Sequence, residues 1–167
     1  LKFIDTAFSD TTFGDSQAAL IAELRGWDGD YTAESKGALA FQLMMHSLIQ
    51  SYVTFEYGPD FVDYFLGSDQ AWDRFLSAFN AQKEQWREPL KKWITKSLAV
   101  SQEPFEKYKT CGGMHRLRLQ HPYGNIPWLG KKYRFREYAS HGSATTVNKT
   151  SSAVTNEKHY TTFGATA

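Results

Sequence analysis

The residue types in this sequence that are best suited to chemistry are one cysteine, Cys111, and five histidines at positions 46, 115, 121, 141 and 159. Cys111 stands close to His115, and a thiol next to an imidazole can act as an activated nucleophile. Such a pair also needs a third group that orients the imidazole, and the neighbouring sequence shows none. The pattern therefore favours a small buried thiol in a tight turn, with a nucleophile as the alternative.

Metal binding is the second chemistry that the histidines could perform. No two of them are three or four residues apart, and the His-Glu-x-x-His pattern is absent. His46 lies beside the apolar stripe of a predicted helix, so we interpret it as a hydrogen-bonded side chain and not as a ligand. The carboxylates of Asp28, Asp30 and Glu34 are explained by a chain reversal without acid–base chemistry. We assign no catalytic, metal-binding or cofactor-binding residue, and we expect no cofactor.

Basic residues are interleaved with aromatic residues in the segments "HRLRLQH" and "GKKYRFRE", and this pattern can bind nucleic acid. The alternative is a solvated strand face whose aromatic side chains point inward. The sequence has 19 Lys and Arg against 18 Asp and Glu, a net charge of +1. Because the overall charge is near zero, we favour the strand face and expect no nucleic-acid partner.

Composition limits the class of protein. The 167 residues are enough for one domain with a sizeable core, and 41% hydrophobic and 16% aromatic residues exclude a disordered chain. The single cysteine excludes an internal disulfide. No apolar run approaches the ~20 residues that a membrane-spanning helix needs, so we expect no membrane partner.

The elements that would position these side chains are helices in the first part of the sequence. The segment "SQAALIAELRGW" places Leu20, Leu24 and Trp27 on one helix face, and Ser16 is a suitable N-cap. Gly29 supplies a residue that tolerates positive φ after the helix end. We therefore interpret Trp27-Asp28-Gly29 as a corner between two helices packed as a hairpin, with Trp27 buried.

The second helix of this hairpin is predicted over about Ala33 to Phe55. Thr32 or Asp30 would cap its start, and Glu34 would favour its positive end. Gly58-Pro59 would end it. Further helices are predicted in "PDFVDYFLG", "SDQAWDRFLSAFN" and "REPLKKWITKSLA".

The sequence pattern changes after about Tyr108. "HRLRLQ" alternates in the manner of a strand, and "TTVN" and "KHYTTFGA" are rich in β-branched and aromatic residues. The sequence therefore predicts an α+β fold, with a helical part over residues 1–108 and a loop-and-strand part over residues 109–167.

Several segments resemble the penicillin acylase family of N-terminal-nucleophile hydrolases. "LIAELRGWDGDYTAESKGALAF" is similar to the Leu, Trp-Asp-Gly and small-residue helix found late in the β subunit of those enzymes. "GGMHRLRLQHPYGNIPWLG" is similar to their Gly-x-x-His segment followed by His-Pro-x-Gly. "HGSATTVN" resembles their turn before Thr-Val-Asn, and "HYTTFGATA" resembles a strand with a Gly-Ala pair. These matches keep the family order from about Ser16 to Ala165.

The resemblance implies that the chain is a C-terminal-side fragment of the β subunit of a larger αββα hydrolase. The parent would cleave an acyl group from an amide, with β-lactams or acyl-homoserine lactones as substrates. The family's serine nucleophile begins the β subunit and uses its own α-amino group as base. Position 1 here is Leu1, and the matched segments lie downstream of the family's catalytic positions. No catalytic residue is carried over, so we expect the fragment alone to be inactive.

The same resemblance implies the partners and the location. The partners would be the remainder of the parent, namely its α subunit and the N-terminal part of its β subunit. We also expect self-association, because strands separated from their sheet expose an open edge. The family resemblance implies a periplasmic or secreted location. Tyr108 and Cys111 stand where family members often carry tryptophan, which indicates a divergent branch.

Two other functions remain as alternatives. A stand-alone helical protein-binding module would use the aromatic stripes as a groove for a partner helix, but it does not explain the strand-like last third. A nucleic-acid adaptor would use the basic and aromatic segment, and salt-dependent retention on heparin would distinguish it.

Overall fold

The computed structural model describes residues 14–68, 71–81, 87–120, 123, 126–142, 155 and 157–161. Within these ranges the longer helices are α1 (Asp15–Gly26), α2 (Lys36–Tyr57), α4 (Ala71–Ala81) and α5 (Arg87–Tyr108). Shorter helices are α3 (Val62–Leu66), α6 (Cys111–Met114) and α7 (Gly130–Tyr133), and a 3₁₀ turn covers Pro59–Phe61. The strands are β1 (His115–Gln120), β2 (Arg134–Ala139) and β3 (His159–Thr161).

Helices α1 and α2 meet at the predicted corner. Gly29 has a φ of 94°, as the corner interpretation requires. The Asp28 Oδ1 atom accepts a hydrogen bond of 2.9 Å from the Asp30 main-chain N–H. This bond is the local turn that an aspartate side chain makes with the backbone two residues later. The Trp-Asp-Gly corner is therefore confirmed.

Trp27 is only half-buried, so the prediction of a buried side chain was wrong. Its ring lies against Gly37, where a Cβ atom would come within 2.4 Å of the Trp27 Cβ atom. The ring also contacts Phe41 with a centroid separation of 4.8 Å, and the indole Nε1–H donates to the Asp30 carbonyl at 2.8 Å. Trp27 thus covers the corner from outside, which leaves part of the indole exposed.

Two predicted helix starts were wrong. Helix α1 begins at Asp15 after Gly14, so Ser16 lies inside the first turn and does not cap it. Helix α2 is capped by Ser35, whose Oγ atom accepts from the Ala38 N–H at 3.0 Å. Thr32 and Asp30, the predicted caps, precede the helix by several residues, and the Thr32 carbonyl accepts from the Ser35 N–H at 3.2 Å in a separate turn.

The core lies between α2 and the helices packed around it. Its largest cluster joins α1, α2, α4 and α5, with Leu24, Met44, Leu48, Phe75 and Ile94 among its buried members. A smaller cluster of Leu39, Leu43 and Met114 connects α2 to α6, with Phe105 and Tyr108 packed against it. These contacts remove one whole face of α2 from water, and burial of apolar area is the main stabilising contribution in such a fold.

The predicted end of α2 is confirmed, whereas α5 extends beyond its predicted end. Gly58, with a φ of 93°, ends α2 as predicted, and Pro59 begins the following turn. Helix α5 continues to Tyr108, although Pro104 lies inside it and lacks the N–H of a regular helical turn. Phe105 contacts both core clusters. We attribute the continuation of the helix to this packing, which outweighs the local preference.

The described strands form one sheet in the order β2-β1-β3. Strands β1 and β2 are antiparallel, and β1 and β3 are parallel, with His115 opposite His159. The predicted strand "HRLRLQ" is confirmed, and the predicted "KHYTTFGA" strand is confirmed over β3. The "TTVN" segment lies outside the described residues.

The described part of the chain is mostly helical with a small sheet, and it fits the predicted α+β class. Among its helices none combines the length and the apolar character that crossing a membrane requires.

We predict that Gly29→Val destabilises the fold by about 1 kcal/mol or more, because a β-branched residue is strained at positive φ. No heavy atom would lie within 4 Å of a Cβ atom at Gly29, so the loss would report backbone strain and not a clash. Urea denaturation followed by circular dichroism measures it.

Gly26→Ala is the matched control for this substitution. Gly26 is the last residue of α1, and a Cβ atom there also meets nothing within 4 Å. Alanine favours the helix more than glycine does, so the control should be neutral or stabilising. Equal destabilisation by the two substitutions would contradict the strain argument.

Candidate functional site

The corner between α1 and α2 accepts main-chain hydrogen bonds from the turn that precedes β1. The Cys111 N–H donates to the Ser35 carbonyl at 3.0 Å, and the Gly112 N–H donates to the Ala33 carbonyl at 2.7 Å. Cys111 and Gly112 begin the single turn of α6, where N–H groups have no partner within the helix. The helical hairpin thus satisfies the backbone at the start of the sheet.

The segment after β2 reaches the same corner. The Gly142 N–H donates to the Tyr31 carbonyl at 2.9 Å, and the Ala33 N–H donates to His141 Nδ1 at 3.2 Å. His141 Nδ1 must then be unprotonated, which places the proton of the neutral ring on Nε2. We call these contacts between residues 31–35, 111–112 and 141–142 the corner junction.

The corner junction has no room for a side chain at position 112. A Cβ atom at this position would lie 2.7 Å from the Ala139 Cβ atom and 2.8 Å from the Ala33 Cβ atom. Separations below 3.0 Å would force the backbone apart. Glycine therefore allows the hairpin corner, α6 and the end of β2 to approach each other closely.

Gln42 joins the two residues that the sequence offered as a nucleophile and its base. The Gln42 Oε1 atom lies 2.6 Å from His115 Nε2 and 3.8 Å from Cys111 Sγ. His115 and Cys111 are buried, at 1% and 0% exposure. Because an amide oxygen only accepts, both the imidazole and the thiol donate to Gln42. A thiol that donates to an amide oxygen does not transfer its proton to a base.

The thiol of Cys111 is also held in its protonated form. Burial raises its pKa from 9.0 to about 11, and the thiolate is the reactive form of cysteine. Thr110 caps the turn that contains it, accepting from the Gly113 N–H at 3.3 Å. The structure therefore places Cys111 as a small buried thiol in a tight turn.

The other predicted candidates do not converge on one site. His46 is half-buried on α2, where burial lowers its pKa and the carboxylate of Glu157 partly opposes that effect. His121 and the side chain of His159 lie outside the described part of the structure. Among the described residues no group of three or more His, Cys, Asp or Glu side chains could hold a metal ion.

The described basic side chains at the start of the sheet contact acidic ones. The Arg116 Nε atom lies 3.9 Å from Glu137 Oε2, and the Lys158 Nζ atom lies 3.7 Å from the same oxygen. Arg116 also donates to the Gly112 carbonyl at 3.3 Å. These contacts are typical of a partly solvated strand face, as the favoured interpretation expected. The expectation that the aromatic side chains of this segment point inward was wrong for Tyr123 and Trp128, which are 51% and 81% exposed.

Sequence reasoning missed Gln42. The available signal was a single amide within the mainly apolar stretch Gly37–Ile49, since a polar side chain on a buried helix face needs a hydrogen-bonding partner. Its partners could not be found from spacing, because they lie more than sixty residues away along the chain.

Comparison with known proteins adds one finding. A family model described as penicillin amidase matches residues 2–167. No protein of curated function and no solved structure matches the chain.

We predict that Gln42→Met destabilises the fold by about 1–3 kcal/mol, because it leaves a buried imidazole N–H without its acceptor at nearly unchanged volume. Gln50→Met on the exposed face of the same helix is the matched control and should change stability by less than about 0.5 kcal/mol. Chemical denaturation of both variants measures the difference. Equal effects would show that the 2.6 Å hydrogen bond contributes nothing.

We predict that the Cys111 thiol reacts with a disulfide reagent at neutral pH at least about tenfold more slowly in the folded chain than in urea. The pKa of the Cys111 thiol is higher in the folded chain than in the unfolded chain, so the protonated thiol favours the folded state. This contribution to the free energy of unfolding is present below pH 9.0 and is lost as the pH rises towards about 11. Cys111→Ala should remove that part of the pH dependence. Rapid labelling of the folded chain would contradict the burial argument.

Proposed function

Because the chain belongs to the penicillin amidase family, we propose that it is a scaffold segment of an amidohydrolase that releases an acyl group from an amide. Members of this family are hydrolases that act on amide C–N bonds. We propose β-lactams or acyl-homoserine lactones as the class of substrate, following the sequence resemblance. The scaffold role is supported by one observation, which is the corner junction.

The corner junction brings together three segments that resemble the family separately in sequence. The Trp-Asp-Gly hairpin supplies the carbonyls of Ala33 and Ser35, and the Gly-x-x-His segment supplies the N–H groups of Cys111 and Gly112. The turn at His141 closes onto the same corner. These main-chain hydrogen bonds hold the three segments together at the corner junction. Because each of the three segments resembles the family in sequence, the junction supports a structural role, which is to position the sheet.

The Cys111 thiol and the His115 imidazole are not arranged as a nucleophile and its base. Cys111 carries a protonated thiol that donates to Gln42, and His115 donates to the same oxygen. An activated nucleophile needs a base that accepts its proton. We therefore propose that the reacting groups are supplied by other parts of the parent enzyme, and that this chain alone does not hydrolyse amides.

The proposed partners are the α subunit and the N-terminal part of the β subunit of that parent, within a larger αββα fold in a periplasmic or secreted enzyme. In the described sheet, β2 and β3 are the outer strands, because β1 lies between them. Outer strands present N–H and C=O groups that can pair with strands of another segment. Self-association is the expected behaviour of the chain when that segment is absent.

We predict that the purified chain shows no turnover of a phenylacetyl amide or an acyl-homoserine lactone. Co-expression with the upstream part of its reading frame should yield a stable complex with amidase activity. With Gly112→Val the complex should not form, because the added side chain separates the hairpin from the sheet. The amidase activity should be lost with it. Gly26→Ala is the control that should retain both.

Activity assays and light scattering together separate the possible outcomes. Hydrolysis by the chain alone would refute the scaffold proposal. A complex that forms with the upstream segment but stays inactive towards both substrate classes would refute the proposed substrates and leave the scaffold role supported.

A further inference from the structure

A cleft of about 750 Å³ opens between the end of α2 and the face of α4. One of its walls is aromatic and is formed by Tyr52, Tyr57, Phe61, Tyr64 and Phe65. Tyr52 is buried, whereas Phe61 and Tyr64 are 55% and 76% exposed. A volume of this size is within the range of small-molecule sites, which are lined mainly by apolar and aromatic side chains.

Three rings of this wall pack on one another, although Tyr57 is 55% exposed. Tyr57 and Phe65 are stacked with centroids 6.5 Å apart, and Tyr52 meets Phe65 edge-on at 6.2 Å. The hydroxyl oxygens of Tyr52 and Tyr57 lie 3.5 Å apart. Burial and the Tyr57 hydroxyl raise the pKa of Tyr52, so its hydroxyl remains protonated. Tyr52, Tyr57 and Phe65 therefore pack on one another as one part of the aromatic wall.

The α4 residues that line the cleft include polar side chains and both signs of charge. Asp73, Arg74 and Ser77 line the cleft from successive turns of α4. The carboxylate and the guanidinium both line the cleft, so one ligand can meet both charges. An arginine has five N–H donors and can bind a ligand carboxylate while it keeps another contact.

We propose that this cleft binds an aromatic amino acid in its zwitterionic form. The ligand's ring would pack on the aromatic wall, its carboxylate would contact Arg74, and its ammonium group would contact Asp73. An aromatic acid without the ammonium would meet Asp73 as a like charge, and an aromatic amine without the carboxylate would meet Arg74 as a like charge. The pair of opposite charges thus selects a ligand that carries both. Binding at this cleft requires no hydrolytic activity.

The affinity should be modest. Asp73 and Arg74 are exposed, and exposed ion pairs contribute little. For a ligand as small as an amino acid we expect a dissociation constant on the order of 1 mM.

A titration of the full chain with L-phenylalanine, followed by amide chemical shifts in NMR spectra, tests the proposal. We expect saturable shifts confined to the residues around the cleft. Phenethylamine, 3-phenylpropanoate and L-leucine lack the carboxylate, the ammonium group and the ring respectively. Each should bind at least about threefold more weakly than L-phenylalanine. Equal affinity for all four ligands, or no saturable shift up to about 20 mM, would overturn the proposal.

Substitutions of exposed residues test each contact without disturbing the core. Arg74→Gln should make phenethylamine bind as well as L-phenylalanine, and Asp73→Asn should do the same for 3-phenylpropanoate. Tyr64→Ala should weaken L-phenylalanine binding, whereas Tyr123→Ala, a similarly exposed tyrosine outside the cleft, should not. Retention of the full ligand preference by both charge variants would also overturn the proposal.

Discussion

The main-chain hydrogen bond from Gly112 to the Ala33 carbonyl, at 2.7 Å, is the contact on which the described structure depends. Buried N–H and C=O groups must be paired, and the corner between two helices leaves carbonyls that neither helix can use. The turn before β1 satisfies them, and Gly112 permits the approach because it has no side chain. The helical hairpin and the sheet are consequently one packed unit at this point and not two parts joined by a linker.

Much of the helical architecture could be predicted from local signals. The corner at Asp28 and Gly29 was found from residue types whose effect is confined to a few neighbouring positions. The helix starts were not found, because Ser16, Thr32 and Ser35 are all acceptable caps by type. At α2 the start after Ser35 goes with the turn that ends at Ser35 and with the bonds that Ala33 and Ser35 accept from a distant segment. Such contacts have no signature in local sequence.

The same limit applies to the candidate site. Cys111 and His115 are near neighbours in sequence, so their proximity could be anticipated, but the acceptor between them could not. Gln42 comes from another element, and only the fold shows that both side chains donate to it. The geometry confirms the favoured interpretation of a small buried thiol, since a shared acceptor holds the thiol in place without deprotonating it. The alternative of a reactive pair is not supported, because the arrangement is a buried polar contact of α2 with α6 and β1.

The corner junction joins segments that lie far apart in the sequence, and this separation affects the order in which the contacts can form. Ala33 and Ser35 emerge from the ribosome well before Gly112, and translation at about 5–20 residues per second separates them by several seconds. During that interval the hairpin can form from contacts close in sequence, while its corner carbonyls are bound only by water. The parallel pairing of β1 with β3 must come later still, because it joins His115 to His159. Contacts of long sequence separation form slowly, so we expect both the corner junction and the pairing of β1 with β3 to form beside a hairpin that is already in place.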